Sequence, residues 1–176
     1  MRIGGKMSNI VIELLGPTNV RQSEVDGINK LLPQLSKKAK PITLGWLLCA
    51  CGRRTSSLRR SCLYVARDTE VYTSDSIVGM ALIYFVWGPD GWHSEIHAVV
   101  VDENHRGLKI GKMLTEKLVA TAKEVAAVNQ ESFNVYLTSK PERVAANNMY
   151  LSMGFKLVAK ADGDNGTNLY KLLVTP

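Results

Sequence analysis

The chain has no apolar run approaching ~18 residues, which excludes a membrane-spanning helix. Its opening residues, MRIGGKMSNI, lack the apolar stretch of a secretory signal, so residues 1–8 read as a short flexible leader with Met7 as an alternative start. Cysteine is scarce: Cys49, Cys51 and Cys62 are an odd number, and Cys49-x-Cys51 has neither a second cysteine pair nor a histidine pair at zinc spacing. That pattern argues against a disulfide framework or a metal site and for buried free thiols in a reducing cytoplasm. There is no internal repeat and no low-complexity tract. What remains is ordinary for a globular protein: 176 residues at 45% hydrophobic content suffice for one domain, 1–176, with a full core. The formal charge of +6 suits an anionic ligand without naming one.

In order along the chain, Asn9 to Gly16 alternates as a first strand, and Pro17 and Thr18 make a turn. From Asn19 to Leu35, apolar Val25, Ile28, Leu31, Leu32 and Leu35 recur at helical spacing. Ile42 to Cys51 is a second short helix with Thr43 as its cap. Strands follow at Cys62 to Ala66 and Ile77 to Trp87, and the turn Gly88 to Gly91 folds the second back as an antiparallel hairpin. A later helix buries Ile110, Leu114, Leu118, Ala122 and Val125. Phe133 to Thr138 is a strand, and Pro141 opens a helix ending near Gly154. Lys156 to Lys160 and Asn168 to Val174 close the chain as a hairpin around Asp162 to Gly166. Such an order is that of an α/β or α+β layered domain.

Gly52 to Ser61 gathers four arginines and four hydroxyl residues. The plain reading is an exposed loop; without interleaved aromatics or a folded nucleic-acid motif, nucleic acid is the weaker alternative.

The stretch Glu95 to Lys112, EIHAVVVDENHRGLKIGK, organises the rest. An apolar strand runs through a polar turn, Asp102 to His105, into the start of a helix, where unpaired N–H groups and the positive dipole end favour an anion. It is not a Walker A loop, since three residues separate Gly107 from Gly111 and Met113 stands where a magnesium-binding hydroxyl belongs. Nor does G-x-G-x-x-G fit. On spacing alone, a pyrophosphate site and a simple strand-to-helix turn are equally good readings.

The segment VVVDENHRGLKIGKMLTEKL resembles the signature motif of the GCN5-related N-acetyltransferases, Q/R-x-x-G-x-G/A after a strand, with Arg106, Lys109 and Gly111 on its fixed places. Lys109 replaces the usual glycine and either narrows the space at the pyrophosphate or adds a charge to it. A second family motif, N-x-x-Y-x-x-x-G-F, appears as Asn147, Tyr150, Gly154 and Phe155. The resemblance runs from about Glu95 to Phe155. It implies a mixed, mostly antiparallel sheet of about seven strands with splayed central strands and about four helices. It also implies acetyl-CoA as co-substrate, with its pyrophosphate on the backbone of Arg106, Gly107, Leu108, Lys109, Ile110, Gly111 and Lys112. Val99, Val100 and Val101 would pair with the pantetheine arm.

Alternation places His93, Glu95, His97, Val99 and Val101 on one side of that strand. By spacing from Arg106, Glu95 matches the family's general-base glutamate and His97 a histidine of its serotonin-type members; Glu95 is preferred, acting through water. The plain alternatives are a solvated strand-end glutamate and a hydrogen-bonded core histidine. Arg143, Asn147 and Tyr150 recur at four and three, as on one helix face. The resemblance makes Tyr150 the general acid, Asn147 a pantetheine contact, and Arg143 either a second contact or a packing residue.

The expectation is a cytoplasmic N-acetyltransferase working by direct transfer to a small-molecule or peptide amine, with no metal and no membrane. A homodimer stays open. A non-catalytic acyl-CoA-binding module is the rival reading. In such enzymes the acceptor pocket is shaped by the first helices and last hairpin, here roughly Asn19 to Cys51 and Lys160 to Lys171.

Overall fold

The computed structural model describes residues 9–51, 59–71, 76–163 and 166–176. In chain order it contains β1 (Ile10–Leu15), α1 (Gln22–Leu35), α2 (Leu44–Ala50), β2 (Arg59–Asp68), β3 (Ile77–Gly88) and β4 (Gly91–Val101). A single 3-10 turn (Glu103–His105) then leads to α3 (Ile110–Asn129), β5 (Phe133–Ser139), α4 (Val144–Ser152), β6 (Lys156–Ala159) and β7 (Asn168–Val174). The strands form one sheet in the order β1-β2-β3-β4-β5-β7-β6. Among the described strands only β4 and β5 pair in parallel; the other neighbours are antiparallel. This is the mixed seven-stranded sheet with four helices that the resemblance implies.

Local chemistry explains the element ends. Thr43 accepts the Trp46 N–H at 3.2 Å and so caps α2, as its hydroxyl predicts. Glu24 folds back to accept the Arg21 N–H at 2.9 Å at the start of α1. Its other oxygen takes Arg67 at 3.3 Å, and Arg67 also reaches Glu13 at 3.2 Å, tying α1 to β1 and β2. Glu24 is therefore buried and paired, and adds no acidity to an acceptor site.

Of the boundaries that differ from expectation, two have a visible cause. β2 begins at Arg59 rather than Cys62, because β3 is long enough to pair with it as far as Arg59 opposite Val86. Ladder hydrogen bonds outweigh the loop-like composition there. The rest of the basic stretch, 52–58, lies outside the described residues, as do the leader 1–8 and residues 164–165 of the last hairpin. α4 begins at Val144 rather than Pro141, since the Arg143 N–H donates to the Lys140 carbonyl at 3.1 Å and closes a turn around the proline.

The sheet carries an apolar cluster on each face. On one, Ile110, Leu114, Leu118, Ala122 and Val125 of α3 pack with Ile83, Phe85, Ile96, Val135, Leu137, Tyr150 and Tyr170. On the other, Val25, Ile28, Leu31 and Leu32 of α1 and Leu47 of α2 pack with Leu63, Val65, Met80, Leu82 and Val100. Of the cysteines, Cys51 and Cys62 are at least partly buried but Cys49 is exposed, contrary to the expectation of three buried thiols. No described helix is long and apolar enough to cross a membrane.

Candidate active site

The site grows from an irregularity in β4. Leu82 faces His97 and Met80 faces Val100, so Ala98 and Val99 together oppose Ala81 in a β-bulge, with Ala98 at φ 54°. A bulge resets the two-residue alternation. Val99 and Val101 consequently pack on the α3 face, while Ala98 and Val100 pack on the α1 face. The expectation that Val99 and Val101 share a side with Glu95 and His97 is thus corrected by one inserted residue.

Beyond the bulge the central strands part. The β4–β5 pairing runs only from Ser94–Val135 to Ile96–Leu137, although β4 continues to Val101 and β5 to Ser139. The β5-facing edge of β4 beyond Ile96 therefore has no strand on it, and a cleft opens between the two. At its far end lies the strand-to-helix turn. Gly107 has φ +85° and Lys109 φ 59°, the left-handed region where a glycine costs nothing and a lysine costs about 1–2 kcal/mol. This explains why glycine is usual at the position of Lys109. Among the described residues, no group accepts from the backbone N–H groups of Gly107 to Lys112; the first bonded amide is that of Met113, at 3.0 Å from the Lys109 carbonyl. Six amides thus carry no protein partner at the positive end of a 20-residue helix.

The same turn is held from behind. Gln34, at the end of α1, donates to Asp102 Oδ2 at 3.0 Å and accepts from the Glu103 N–H at 2.8 Å and from Arg106 Nη2 at 3.3 Å. Arg106 Nε also donates to the Val101 carbonyl at 3.3 Å, and its backbone N–H to the Glu103 carbonyl at 3.5 Å, so side chain and backbone amide alike are engaged by the protein.

On the α4 bank, Asn147 is buried and its amide nitrogen donates to the Lys140 and Pro141 carbonyls at 3.1 and 3.2 Å. Two carbonyls fix the amide orientation and leave Oδ1 buried with no partner. Ser139 Oγ at the end of β5 is likewise buried and unpartnered. Orphaned acceptors of this kind are rare without a missing donor. At Gly111 a Cβ would come no nearer than 3.7 Å to Val101 and 4.0 Å to Met149. The protein's own packing does not demand a glycine there. Amide N–H donors and a phosphate are the chemical partners that such acceptors and unbonded backbone amides would take.

Tyr150 is buried against Phe155 and Tyr170, ring centroids 5.9 and 6.0 Å away. Desolvation pushes its phenol up to about 12, only partly opposed by Arg143, so it keeps its proton at any ordinary pH. Arg143 itself does not share the face of Asn147 and Tyr150. It precedes the helix, and its Nη2 donates to the Leu35 carbonyl at 2.6 Å, strapping the end of α1 to the start of α4.

Glu95 and His97 lie together on the α1 face, Nε2 to Oε2 3.2 Å, each about 45% exposed. The His97 ring meets Tyr84 edge-on, centroids 5.2 Å apart. They line an open cleft of ≈ 650 Å³ with Tyr84, Val86, His93, Ser94, Tyr136 and Leu169. Sequence reasoning missed Tyr84, Tyr136, Gln34 and Ser139. The alternation of FNVYLTS does put Tyr136 on the outward face of β5, but Tyr84 sits in an unbroken apolar run and gave no signal. Cys51, buried with its thiol pushed up to about 12 by desolvation, is not a nucleophile.

The model of the Acetyltransferase (GNAT) family matches residues 28–155, and the chain belongs to that family. Solved structures agree in fold. The NatC complex bound to Gag peptide and CoA matches with a TM-score of 0.69 at 19% identity, covering 96% of this chain and 99% of that one. Arabidopsis thaliana NAA60 in complex with a bisubstrate analogue matches with a TM-score of 0.69 at 15% identity, covering 93% and 98%. A GNAT-family acetyltransferase from Staphylococcus aureus Mu50 matches with a TM-score of 0.63 at 19% identity, covering 94% and 100%. Comparison with curated proteins finds no sequence match.

Proposed function

We propose that this single domain is an N-acetyltransferase that passes acetyl directly from acetyl-CoA to a primary amine in a ternary complex. The observation that carries the reading is the pair of opposed banks. Six unbonded amides and the orphaned Asn147 Oδ1 belong to elements packed on the α3 face of the sheet where β4 leaves β5, and the Glu95–His97 pair stands on the α1 face. A pantetheine arm laid in the cleft takes the place of the missing strand pairing on Val99 to Val101.

The amine arrives as an ammonium and must lose a proton before it can attack. Glu95, held by His97, removes it directly or through one water. The amine nitrogen then bonds to the thioester carbonyl carbon, the C–S bond breaks, and the sulfur leaves with the electron pair. Backbone N–H groups beyond the bulge hold the carbonyl oxygen. Tyr150, still protonated at working pH because burial has raised it, gives the sulfur its proton. The nitrogen's second proton restores Tyr150, so the balance is one amide, one thiol and one proton passed through Glu95 to solvent. Cysteines that form no disulfide are consistent with a cytoplasmic location.

Tyr150→Phe should lower kcat about 10²-fold or more while CoA affinity holds, and Glu95→Gln should lower kcat comparably and flatten the rise of rate with pH. Since the Tyr150 phenol ionises only near pH 12, the wild type should show no alkaline loss of its acid below that. Unchanged pH–rate profiles in both variants would remove both roles. CoA binding without amine-dependent thiol release would favour a non-catalytic acyl-CoA-binding module.

A further inference from the structure

The row of residues crossing the sheet at Glu95 has a composition of its own. Tyr84 on β3 is directly opposite Glu95 on β4, and Tyr136 on β5 is in register with Glu95 on the other side. All three line the cleft. Neighbouring strands are about 4.8 Å apart, so the carboxylate has an aromatic ring on each flank. A carboxylate between two electron-rich rings is a seat for a cation. The next row, towards the start of β4, sets Val86 opposite His93 and Leu173 opposite Asn134. Val86 and Leu173 are apolar yet 44% and 60% exposed. That exposure leaves this part of the face uncovered among the described residues.

Resting on the transferase reading, we propose that Tyr84, Glu95 and Tyr136 form the acceptor's ammonium seat, and that the acceptor is a monocationic primary amine on an apolar arm. The seat delivers the nitrogen beside the bulge, where β4 parts from β5. The arm lies outward over Val86 and Leu173. A polyamine suits the site poorly: Glu95 is the one carboxylate among the described lining residues, His97 already engages it, and the chain carries a net +6. Two sources share the favoured chemistry, a free arylalkylamine and the N-terminus of a peptide with an apolar first residue.

The test is thiol release from acetyl-CoA by the full chain, with four acceptors: phenethylamine, a phenylalanine-led peptide, the same peptide led by aspartate, and spermidine. Phenethylamine or the phenylalanine-led peptide should exceed spermidine and the aspartate-led peptide at least about tenfold in kcat/KM, and the better of the two identifies the source. Tyr136→Ala should raise KM for that amine by about 2- to 30-fold, the span of a cation–ring contact. Tyr136→Phe should restore it, and CoA affinity, which also reports folding, should not move. Should Tyr136→Ala fail to bind CoA, Tyr84→Leu takes its place with the same expected rise. Preference for spermidine or the aspartate-led peptide, or an unmoved KM in the variants, overturns the assignment while leaving the transferase reading intact. No release by any amine, with CoA still bound, removes that reading and this one with it.

Discussion

The two banks of the β4–β5 cleft are built on different principles. The α3 bank works through backbone: six amides in a turn whose shape requires positive φ at Gly107 and Lys109, backed by a helix dipole. The acceptor bank works through side chains that three different strands bring into one row, Tyr84, Glu95 and Tyr136. Backbone geometry limits which residues are tolerated and so leaves a local motif. A cross-strand row leaves none, because its members are tens of residues apart and any outward-facing residue could occupy each place. On the proposed reading, the same contrast would let one bank hold a constant co-substrate while the other differs in its acceptor.

Three substitutions probe how separate the banks are. The largest effect is expected from Asn147→Ala, which removes the orphaned Oδ1 and leaves the Lys140 and Pro141 carbonyls without their donor. CoA Kd should rise about tenfold, and thermal unfolding should register a loss of ~1–3 kcal/mol. Acceptor KM at saturating acetyl-CoA should stay constant; a matching rise there would show that the banks are not separable at this point.

Next is Gln34→Ala. Gln34 belongs to the helix on the acceptor face yet makes three hydrogen bonds to the donor turn. Losing about 1 kcal/mol of positioning should raise CoA Kd about fivefold. Acceptor KM should rise with it, because α1 also straps to Arg143 through the Leu35 carbonyl. A change in CoA affinity alone would sharpen the division between banks.

Smallest is Lys109→Gly. Relieving a lysine from φ 59° should stabilise the fold by ~1 kcal/mol, partly offset by the freer unfolded chain. The loss of one charge at the phosphates should weaken CoA binding a few-fold, more so at low salt. Unchanged melting would mean that the turn already absorbs the strain.

Much of this fold was legible beforehand. The α3 stripe Ile110, Leu114, Leu118, Ala122, Val125 is buried throughout, as its spacing requires. Thr43 caps α2, and Gly88 to Gly91 turns β3 into β4. Boundaries failed where a neighbour decided them. Arg59 to Ser61 read as loop until β3 supplied a partner, and Arg143 read as helix until the turn at Pro141 displaced it. On the site, the resemblance pointed to the turn and to Asn147 and Tyr150, whereas the face shared by Val99 and Val101 was misjudged. A bulge is an extra residue relative to a partner strand, and it has no meaning within one strand read alone.

The sequence by itself determined the apolar stripes, the caps, the turn with its glycines and the family the chain belongs to, since each depends on residues close together along the chain. Only the tertiary structure decided the rest. It set the parting of β4 from β5, the vacancy at Asn147 Oδ1, the hold of Gln34 on the donor turn, and the meeting of Tyr84, Glu95 and Tyr136. These depend on register between distant strands and helices, and register is fixed by how the two apolar faces pack, not by any one segment's composition.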